Sequence, residues 1–254
     1  MLSSLIYAFS MYSRIPMPRI RCDGREKRFV MACFPLVGLL TGVLGYGLIL
    51  LCRKAGISAI LQTALFLALP LLITGGIHLD GFMDTSDAVS SFADREKRLQ
   101  ILSDPHIGAF AVIYALGLCG VWGASVHEIL DQGSGPVLIC LCLSFMLSRI
   151  ISAFSVLLLP SAREGSVDAI KKGSAVLPSV ILLSALLILC SVFLFILYPP
   201  GGIIMICISG LLLLCYCPSA LKIFGGITGD TSGWLLCMLE CLQALGLALI
   251  CHFF

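Results

Sequence analysis

Three aspartates stand close together in the segment TGGIHLDGFMDTSD, residues 74–87: Asp80, Asp84 and Asp87. If the segment is helical, their spacing of i, i+4 and i+7 places the three carboxylates on one face, about one turn apart. Like charges placed in this way repel each other, and the repulsion grows where the dielectric constant is low. A Mg²⁺ ion relieves it, because Mg²⁺ binds one or two carboxylates and keeps positions for water and substrate phosphates. The spacing therefore predicts a Mg²⁺ site.

The alternative interpretation of these aspartates is a solvated helix face without a metal. That interpretation predicts basic residues three or four positions away, whereas the nearest, Arg95, is eight residues past Asp87. The later run DREKR at 94–98 does interleave acidic and basic residues, and it is predicted to be a solvated face. We therefore keep the metal interpretation for the three aspartates alone.

Two further polar turns carry single carboxylates. The segment SDPHIGAF at 103–110 sets Asp104 and His106 just before an apolar run, with Gly108 permitting a close approach. The segment GGITGDTSGW at 225–234 is rich in glycine, so its backbone N–H groups, such as that of Gly229, can bind phosphate, and it offers the carboxylate of Asp230. Together with the aspartate triad, these turns indicate metal-assisted chemistry on a phosphate.

Cations that could meet such a phosphate are also present. Arg149, in FMLSRII, lies within an apolar run, where a charge costs at least about 2.5–3.5 kcal/mol on insertion scales. It is predicted to pair with carboxylates or to bind phosphate through its two-pronged guanidinium group, and the buried Glu240 could be its partner or belong to the site. Arg14 and Arg163 are further candidates, for which extension of the side chain to the membrane surface is the alternative.

The elements that must position these residues are membrane helices. The 254 residues are 59% hydrophobic and 12% charged, against about 45–50% and about 25% in soluble domains, and the mean hydropathy is +1.07. Apolar runs long enough to cross a bilayer recur along the whole chain. The predicted fold is therefore an all-α, polytopic helical bundle with about seven transmembrane helices, six to eight in all, at 30–51, 59–77, 107–126, 137–159, 176–198, 203–217 and 234–253. The PPGG sequence at 199–202 is predicted to be a turn.

Basic residues predict the orientation. With a cytoplasmic amino terminus, thirteen of the sixteen Lys and Arg residues fall on the cytoplasmic side, Arg53 and Lys54 on the other, and Arg149 within a span. The same topology places every candidate aspartate on the cytoplasmic face. The first dozen residues are predicted to form an interfacial or re-entrant helix rather than a removable signal. We expect one membrane-embedded domain over residues 1–254, in which the cytoplasmic segment 78–106 carries the metal motif.

The chain resembles the cobalamin synthase family. The motifs that carry the resemblance are SRIPMP at 13–18, FPLVGLLTG at 34–42, GGIHLDGFMDTSDA at 75–88, REKRLQILSDPHIGAF at 95–110, SR at 148–149, AREG at 162–165 and GGITGDTSG at 225–233. The resemblance implies a transferase that joins adenosylcobinamide-GDP to α-ribazole or its 5′-phosphate and releases GMP, the last step of nucleotide-loop assembly in vitamin B12 biosynthesis. It also implies a requirement for Mg²⁺ and a location in the cytoplasmic (inner) membrane, with the active site facing the cytoplasm.

On this resemblance the candidate residues receive roles. Asp80, Asp84 and Asp87 are expected to bind the metal, with Asp84 also central to catalysis, and Asp230 is expected to be a further metal ligand or the general base. Asp104 is a second candidate base or a structural partner of the site. The residues expected to contact substrate phosphates are Arg149, Arg163, Arg14 and Gly229. Expected partners are the two substrates and the lipid bilayer, with no nucleic acid, and a homo-oligomer remains open.

The sequence departs from the family pattern at three positions. Ala88 stands where many relatives have glycine, and His106 stands where an arginine is expected, so no phosphate contact is assigned to position 106. Cys237 replaces an acidic residue, which leaves only Glu240 of that pair. Two other classes remain as alternatives: another intramembrane Mg²⁺-dependent enzyme, such as an aromatic-acceptor prenyltransferase or a CDP-alcohol phosphotransferase, and an ion-coupled transporter.

Overall fold

The computed structural model describes residues 1–19 and 24–251. These residues form eleven α-helices: α1 Leu2–Tyr12, α2 Val30–Lys54, α3 Ala59–Thr74, α4 Ile77–Ser90, α5 Arg95–Ile101, α6 Ala109–Gln132, α7 Gly135–Leu158, α8 Ser166–Gly173, α9 Val176–Leu197, α10 Pro199–Phe224 and α11 Gly229–Ile250. A short 3₁₀ helix, Arg25–Lys27, precedes α2. Within the described ranges no β-strand occurs, so the predicted all-α fold is confirmed.

Six of these helices are long and apolar enough to cross a membrane: α2, α6, α7, α9, α10 and α11. The bent pair α3 and α4 could make a seventh span. The predicted multi-pass bundle of about seven spans is therefore confirmed. The orientation of the bundle stays a prediction, as does the interfacial or re-entrant placement of α1, which packs along α2.

Helix α7 is the centre of the bundle. Of its most apolar stretch, 83% is buried, against 17% in α9, so α7 is surrounded by protein while α9 turns most of its apolar surface outward. Two glycines let α2 approach α7 closely: a methyl group at Gly38 would collide with the carbonyl of Phe145, and one at Gly42 with that of Cys142. These small residues therefore let the two helices pack closely.

Two predicted boundaries differ from the structure. The second predicted span, 59–77, ends early, because α3 stops at Thr74 and the next two glycines adopt positive φ angles of 70° and 81°. The chain then bends by 93° into α4. The predicted turn at 199–202 is wrong, because Pro199 and Pro200 begin α10, where proline loses no helical hydrogen bond and its fixed φ suits the first turn. The sixth span is accordingly longer than the predicted 203–217.

Candidate active site

The three aspartates lie on helix α4, so their spacing does place them on one helix face, as the predicted Mg²⁺ site requires. Asp80 is exposed, while Asp84 and Asp87 are half-buried. None of the three carboxylates accepts a hydrogen bond or forms an ion pair with any residue that the structure describes. Three carboxylates on one helix face without a cationic partner are the arrangement that a bound metal ion would stabilise.

Helix α11 brings the fourth aspartate to α4 through two glycines. A methyl group at Gly81 would lie 2.8 Å from the Cα atom of Asp230, and one at Gly233 would lie 2.9 Å from the carbonyl oxygen of His78. Both distances are shorter than ordinary contacts of a methyl carbon, so each glycine allows the two backbones to touch. The close approach fixes Asp230 beside the aspartate triad.

Helical spacing on α4 and the contact between Gly81 and Asp230 bring the four carboxylates into one cluster. The pKa of Asp84, on a helix outside the six long apolar ones, is raised to about 6, first by burial and then by the charges of Asp80, Asp230 and Asp87. Within the described part of the chain, no group of three or more His, Cys, Asp or Glu side chains is arranged so that it could hold a metal ion by itself. The cluster therefore fits an ion held by one or two carboxylates and completed by water and substrate, as Mg²⁺ commonly is.

A short pairing between two loops positions Arg163 next to Asp230. Ser161 and Ile227 form a parallel β-bridge, in which Ala162 N–H donates to the Ile227 carbonyl at 2.9 Å and Ile227 N–H to the Pro160 carbonyl at 2.9 Å. The Arg163 Nη2 atom then lies 3.6 Å from Oδ2 of Asp230. Two residues predicted from separate motifs thus meet at one end of the bundle.

The first turn of α11 forms a small polar cavity with this arginine. Thr228 caps the helix: its hydroxyl accepts from Thr231 N–H at 3.2 Å and donates to the Asp230 carboxylate at 3.3 Å. The cavity measures about 110 Å³, and Arg163, Gly229 and Asp230 line it. Backbone N–H groups in the first turn of a helix lack intrahelical partners and attract anions. Arg163 and Gly229, both predicted to contact phosphate, therefore share one anion-compatible cavity.

Helix α5 packs beside Arg163, a contact that no local sequence pattern indicated. The Arg163 guanidinium also donates to the Leu99 carbonyl at 3.0 Å and to the Ser103 hydroxyl, both at the end of α5. Arg95 covers Gly225 and donates to the Ala162 carbonyl at 3.4 Å. Residues 94–97 are exposed, as the predicted solvated face requires, and Arg95 in addition contacts a distant loop.

Arg14 lies at the bend between α3 and α4. Its backbone N–H donates to the Ile73 carbonyl at 2.7 Å, and its side chain covers Gly75, where a methyl group would collide with the guanidinium nitrogen Nε. The side chain is exposed and lies at the start of the helix that carries the aspartates. Arg14 is thus beside the site, although its contact with phosphate stays a prediction.

The loop before α6 makes different contacts with Asp87 and with Asp104. The Asp87 carboxylate packs directly on Gly108, which confirms that this glycine permits a close approach. Asp104 is exposed and accepts from the backbone N–H of His106 at 2.9 Å and from its ring at 2.6 Å. Hydrogen bonds from the His106 backbone and ring lower the pKa of Asp104. This environment favours the structural role for Asp104, because a lower pKa makes a weaker base.

Arg149 is completely buried and pairs with Glu240. Its Nη1 atom lies 2.7 Å from Oε1 of Glu240 and donates to the Phe145 carbonyl at 2.7 Å, while the Ser148 hydroxyl donates to the same carboxylate oxygen at 3.0 Å. The pairing that the sequence offered as one alternative is confirmed. A contact between Arg149 and phosphate stays a prediction.

The geometry can now be compared with known proteins. The sequence model of the family described as cobalamin-5-phosphate synthase matches residues 4–248. The chain belongs to this family. A relative named adenosylcobinamide-GDP ribazoletransferase, from Clostridium botulinum (strain Alaska E43 / Type E3), is 35% identical over 236 residues, covering 91% of each chain. One of the same name from Lachnoclostridium phytofermentans is 33% identical over 98% of this chain and 94% of its own.

Membership of the cobalamin-5-phosphate synthase family confirms the resemblance that the motifs indicated. A further relative with the same name, from Clostridium perfringens (strain ATCC 13124), is 32% identical over 91% of both chains. No solved structure matches the chain. The family favours a transferase of cobalamin biosynthesis over the prenyltransferase, CDP-alcohol phosphotransferase and transporter alternatives.

Proposed function

We propose that the protein is an adenosylcobinamide-GDP ribazoletransferase, which joins adenosylcobinamide-GDP to α-ribazole or its 5′-phosphate and releases GMP. One observation carries the proposal: four aspartates from two helices that touch at glycines form one carboxylate cluster, and Arg163 stands beside it. The names of the relatives supply the identity of the substrates. The product is adenosylcobalamin or its 5′-phosphate.

The chemistry of the donor set supports Mg²⁺ as the cofactor. Asp80, Asp84 and Asp87 offer hard carboxylate oxygens that no described residue neutralises, and Asp230 adds another from α11. We infer that one or two carboxylates of this set of four would hold each Mg²⁺ ion, with water and the substrate diphosphate completing the coordination. When bound, the ion would neutralise negative charge on the diphosphate and on the leaving GMP.

Substrate phosphates are proposed to enter beside this row of aspartates. Arg163 and the first backbone N–H groups of α11, at Gly229, line the same polar cavity as Asp230. Arg14 offers a second exposed cation at the bend before α4. These groups would hold the diphosphate with its phosphorus accessible, so that positioning and electrostatics provide most of the catalysis.

The transfer itself exchanges a phosphoanhydride bond for a phosphodiester bond. A hydroxyl oxygen of the ribazole attacks the phosphorus attached to cobinamide, the bond from that phosphorus to the oxygen of GMP breaks, and GMP departs with the bonding electrons. The hydroxyl proton passes to a carboxylate. We assign this role to Asp230 or Asp84, because Asp104 has a lowered pKa and is occupied by His106.

A reconstituted assay tests this function. Protein in nanodiscs is supplied with Mg²⁺, adenosylcobinamide-GDP and α-ribazole, and GMP and cobalamin are measured. We expect equimolar formation of the two products and loss of both when Mg²⁺ is removed with EDTA. A folded, metal-supplied sample that forms neither product would refute the proposed activity.

A pair of matched variants tests the aspartate cluster. Asp84→Asn keeps the shape of the side chain but removes its charge, and we expect it to reduce turnover by at least 10³-fold while the protein still inserts and folds. Asp131→Asn, an exposed change at the other end of the bundle, serves as the control and should keep full activity. Full activity in Asp84→Asn would remove this residue from the site.

The location in the cytoplasmic membrane, with the site facing the cytoplasm, is also proposed. It rests on the distribution of basic residues along the sequence, which predicts thirteen of the sixteen on the same side of the membrane as the aspartates. A fluorescent protein that matures only in the cytoplasm can be inserted between Glu164 and Gly165, or between Gly133 and Ser134. We expect fluorescence from the first insertion alone, and the reverse result would invert the topology.

A further inference from the structure

A second, largely apolar cavity lies inside the bundle beneath the aspartate row. It measures about 240 Å³ and is enclosed by α3, α4, α6, α7 and α11. Leucine, alanine and proline side chains make most of its wall, among them Ala68 and Leu71 of α3 and Leu118 of α6. For comparison, an engineered apolar cavity of about 150 Å³ accommodates benzene. The cavity therefore has room for more than one aromatic ring.

Polar atoms without partners line this apolar cavity. Arg149 is 0% exposed, and its Nε and Nη2 atoms have no hydrogen-bond partner among the described residues. The same holds for His78 Nε2 and for Trp122 Nε1, and all three residues line the one cavity. Buried N–H groups are seldom left unpaired, because they lose their hydrogen bonds to water without replacement. Their concentration here indicates a ligand that carries a hydrogen-bond acceptor.

The charges around the cavity restrict the chemistry of that ligand. Glu240 already neutralises Arg149, at 2.7 Å, so the pair offers donors without a net positive charge. A free phosphate would bring charge into an apolar site without a counter-ion, which is unfavourable. A hydrocarbon chain would fill the space but accept no hydrogen bond. A flat, neutral heteroaromatic group with a ring nitrogen satisfies both the wall and the donors.

We propose that this cavity binds the aromatic base of the ribazole acceptor, with the base nitrogen accepting from Arg149 or Trp122. The proposal rests on the proposed function, and it assigns the acceptor to a site separate from the diphosphate groups of the other substrate. It also gives Arg149 a different task from the phosphate contact predicted from the sequence.

The position of the cavity suits an acceptor whose sugar must reach the aspartates. Leu79 lines both this cavity and a shallow depression at the bend, which also includes Asp80. Leu71, on the same wall, is 41% exposed, so this wall is also part of the outer surface of the bundle. A base held among the helices would therefore let its ribose extend past Leu79 toward the carboxylate row.

Two alanines on α3 provide a matched test. Ala68 lines the cavity, whereas Ala64, one turn earlier on the same helix, is exposed and lies outside it. We expect Ala68→Phe to fill the cavity and to weaken binding of labelled α-ribazole at least tenfold by equilibrium dialysis in nanodiscs. Ala64→Phe should bind within twofold of the unaltered protein. In turnover, Ala68→Phe should raise the KM for α-ribazole and leave that for adenosylcobinamide-GDP unchanged.

Two further measurements test the hydrogen-bond donors. Trp122→Phe keeps an aromatic ring but removes the N–H, and we expect α-ribazole to bind it about three- to tenfold more weakly. Free benzimidazole should compete with α-ribazole, whereas naphthalene, which has no acceptor, should compete at least tenfold less well. Equal competition by naphthalene would overturn the role of the donors.

The results distinguish this inference from the proposed function. If the protein forms GMP and cobalamin but Ala68→Phe behaves as the unaltered protein, the function stands and the cavity is not the base site. If no GMP forms while Ala68→Phe selectively loses α-ribazole binding, the base site stands and the proposed reaction is wrong. Absence of α-ribazole binding by the unaltered protein, with or without Mg²⁺, would overturn the inference.

Discussion

Substituting Gly81 by alanine tests whether the contact between α4 and α11 builds the site. The added methyl carbon would lie 2.8 Å from the Cα atom and 2.9 Å from the carbonyl oxygen of Asp230, where ordinary contacts begin at 3.4 Å. The backbones must therefore separate by roughly 0.6 Å, the difference between 3.4 and 2.8 Å. Both obstructing atoms belong to the backbone, so no side chain can rotate to relieve the collision.

This small separation should affect catalysis more than folding. Asp230 would move away from Asp84, and a misplacement of about 1 Å costs roughly 10²-fold in rate when groups must be aligned. We expect kcat for Gly81→Ala to fall about 10- to 100-fold. Overpacking of this size destabilises a folded protein by about 1–3 kcal/mol, which should lower the melting temperature without preventing folding.

Release of GMP by protein in nanodiscs, measured alongside the melting temperature, checks this prediction. Gly117→Ala is the control, because that glycine is also helical and a methyl group there meets no atom within 4 Å. The control should keep full activity and be equally or more stable, since alanine favours the helix. Gly81→Ala with activity within twofold of the unaltered protein would refute the argument that glycine contact sets the carboxylate geometry.

Three further predictions concern the surroundings of the site. Gly108→Ala pushes a methyl group into the Asp87 carboxylate, so we expect a higher Mg²⁺ concentration for half-maximal activity, and an unchanged value would contradict this. Arg163→Gln should raise the KM for adenosylcobinamide-GDP at least tenfold, and the prediction fails if only stability changes. Glu240→Ala leaves the buried Arg149 charge unpaired and should reduce the free energy of unfolding by about 3–5 kcal/mol. In thermal unfolding, the double variant Arg149→Met/Glu240→Leu should restore much of this stability. The double variant should not bind α-ribazole.

Local periodicity explains what the sequence could predict. The shared face of Asp80, Asp84 and Asp87 follows from helical spacing alone, and the structure confirms the helix. The apolar runs likewise predicted the number of long helices, because a bilayer sets a minimum length for each. The 93° bend was not predicted, since Gly75 and Gly76 permit positive φ angles without requiring a particular direction.

Contacts between distant segments explain what the sequence missed. Arg163 reaches Asp230 only because Ser161 pairs with Ile227 in another loop, and no local pattern encodes that pairing. The contact of the exposed Arg95 with the Ala162 carbonyl was missed for the same reason. The wrong turn at 199–202 has a local cause: proline and glycine together are typical of turns, but proline at the first helical position is equally compatible with a helix.

Because of the 93° bend between α3 and α4, the aspartates lie on a surface across the end of the bundle rather than in a channel along its axis. From Asp80 to Asp87 the row of carboxylates is about 10 Å long, at 1.5 Å per helical residue. A channel admits only substrates narrower than itself, whereas a surface sets no upper limit on the width of a substrate that binds there. A macrocycle far larger than the 240 Å³ cavity could thus be processed without ever entering the fold.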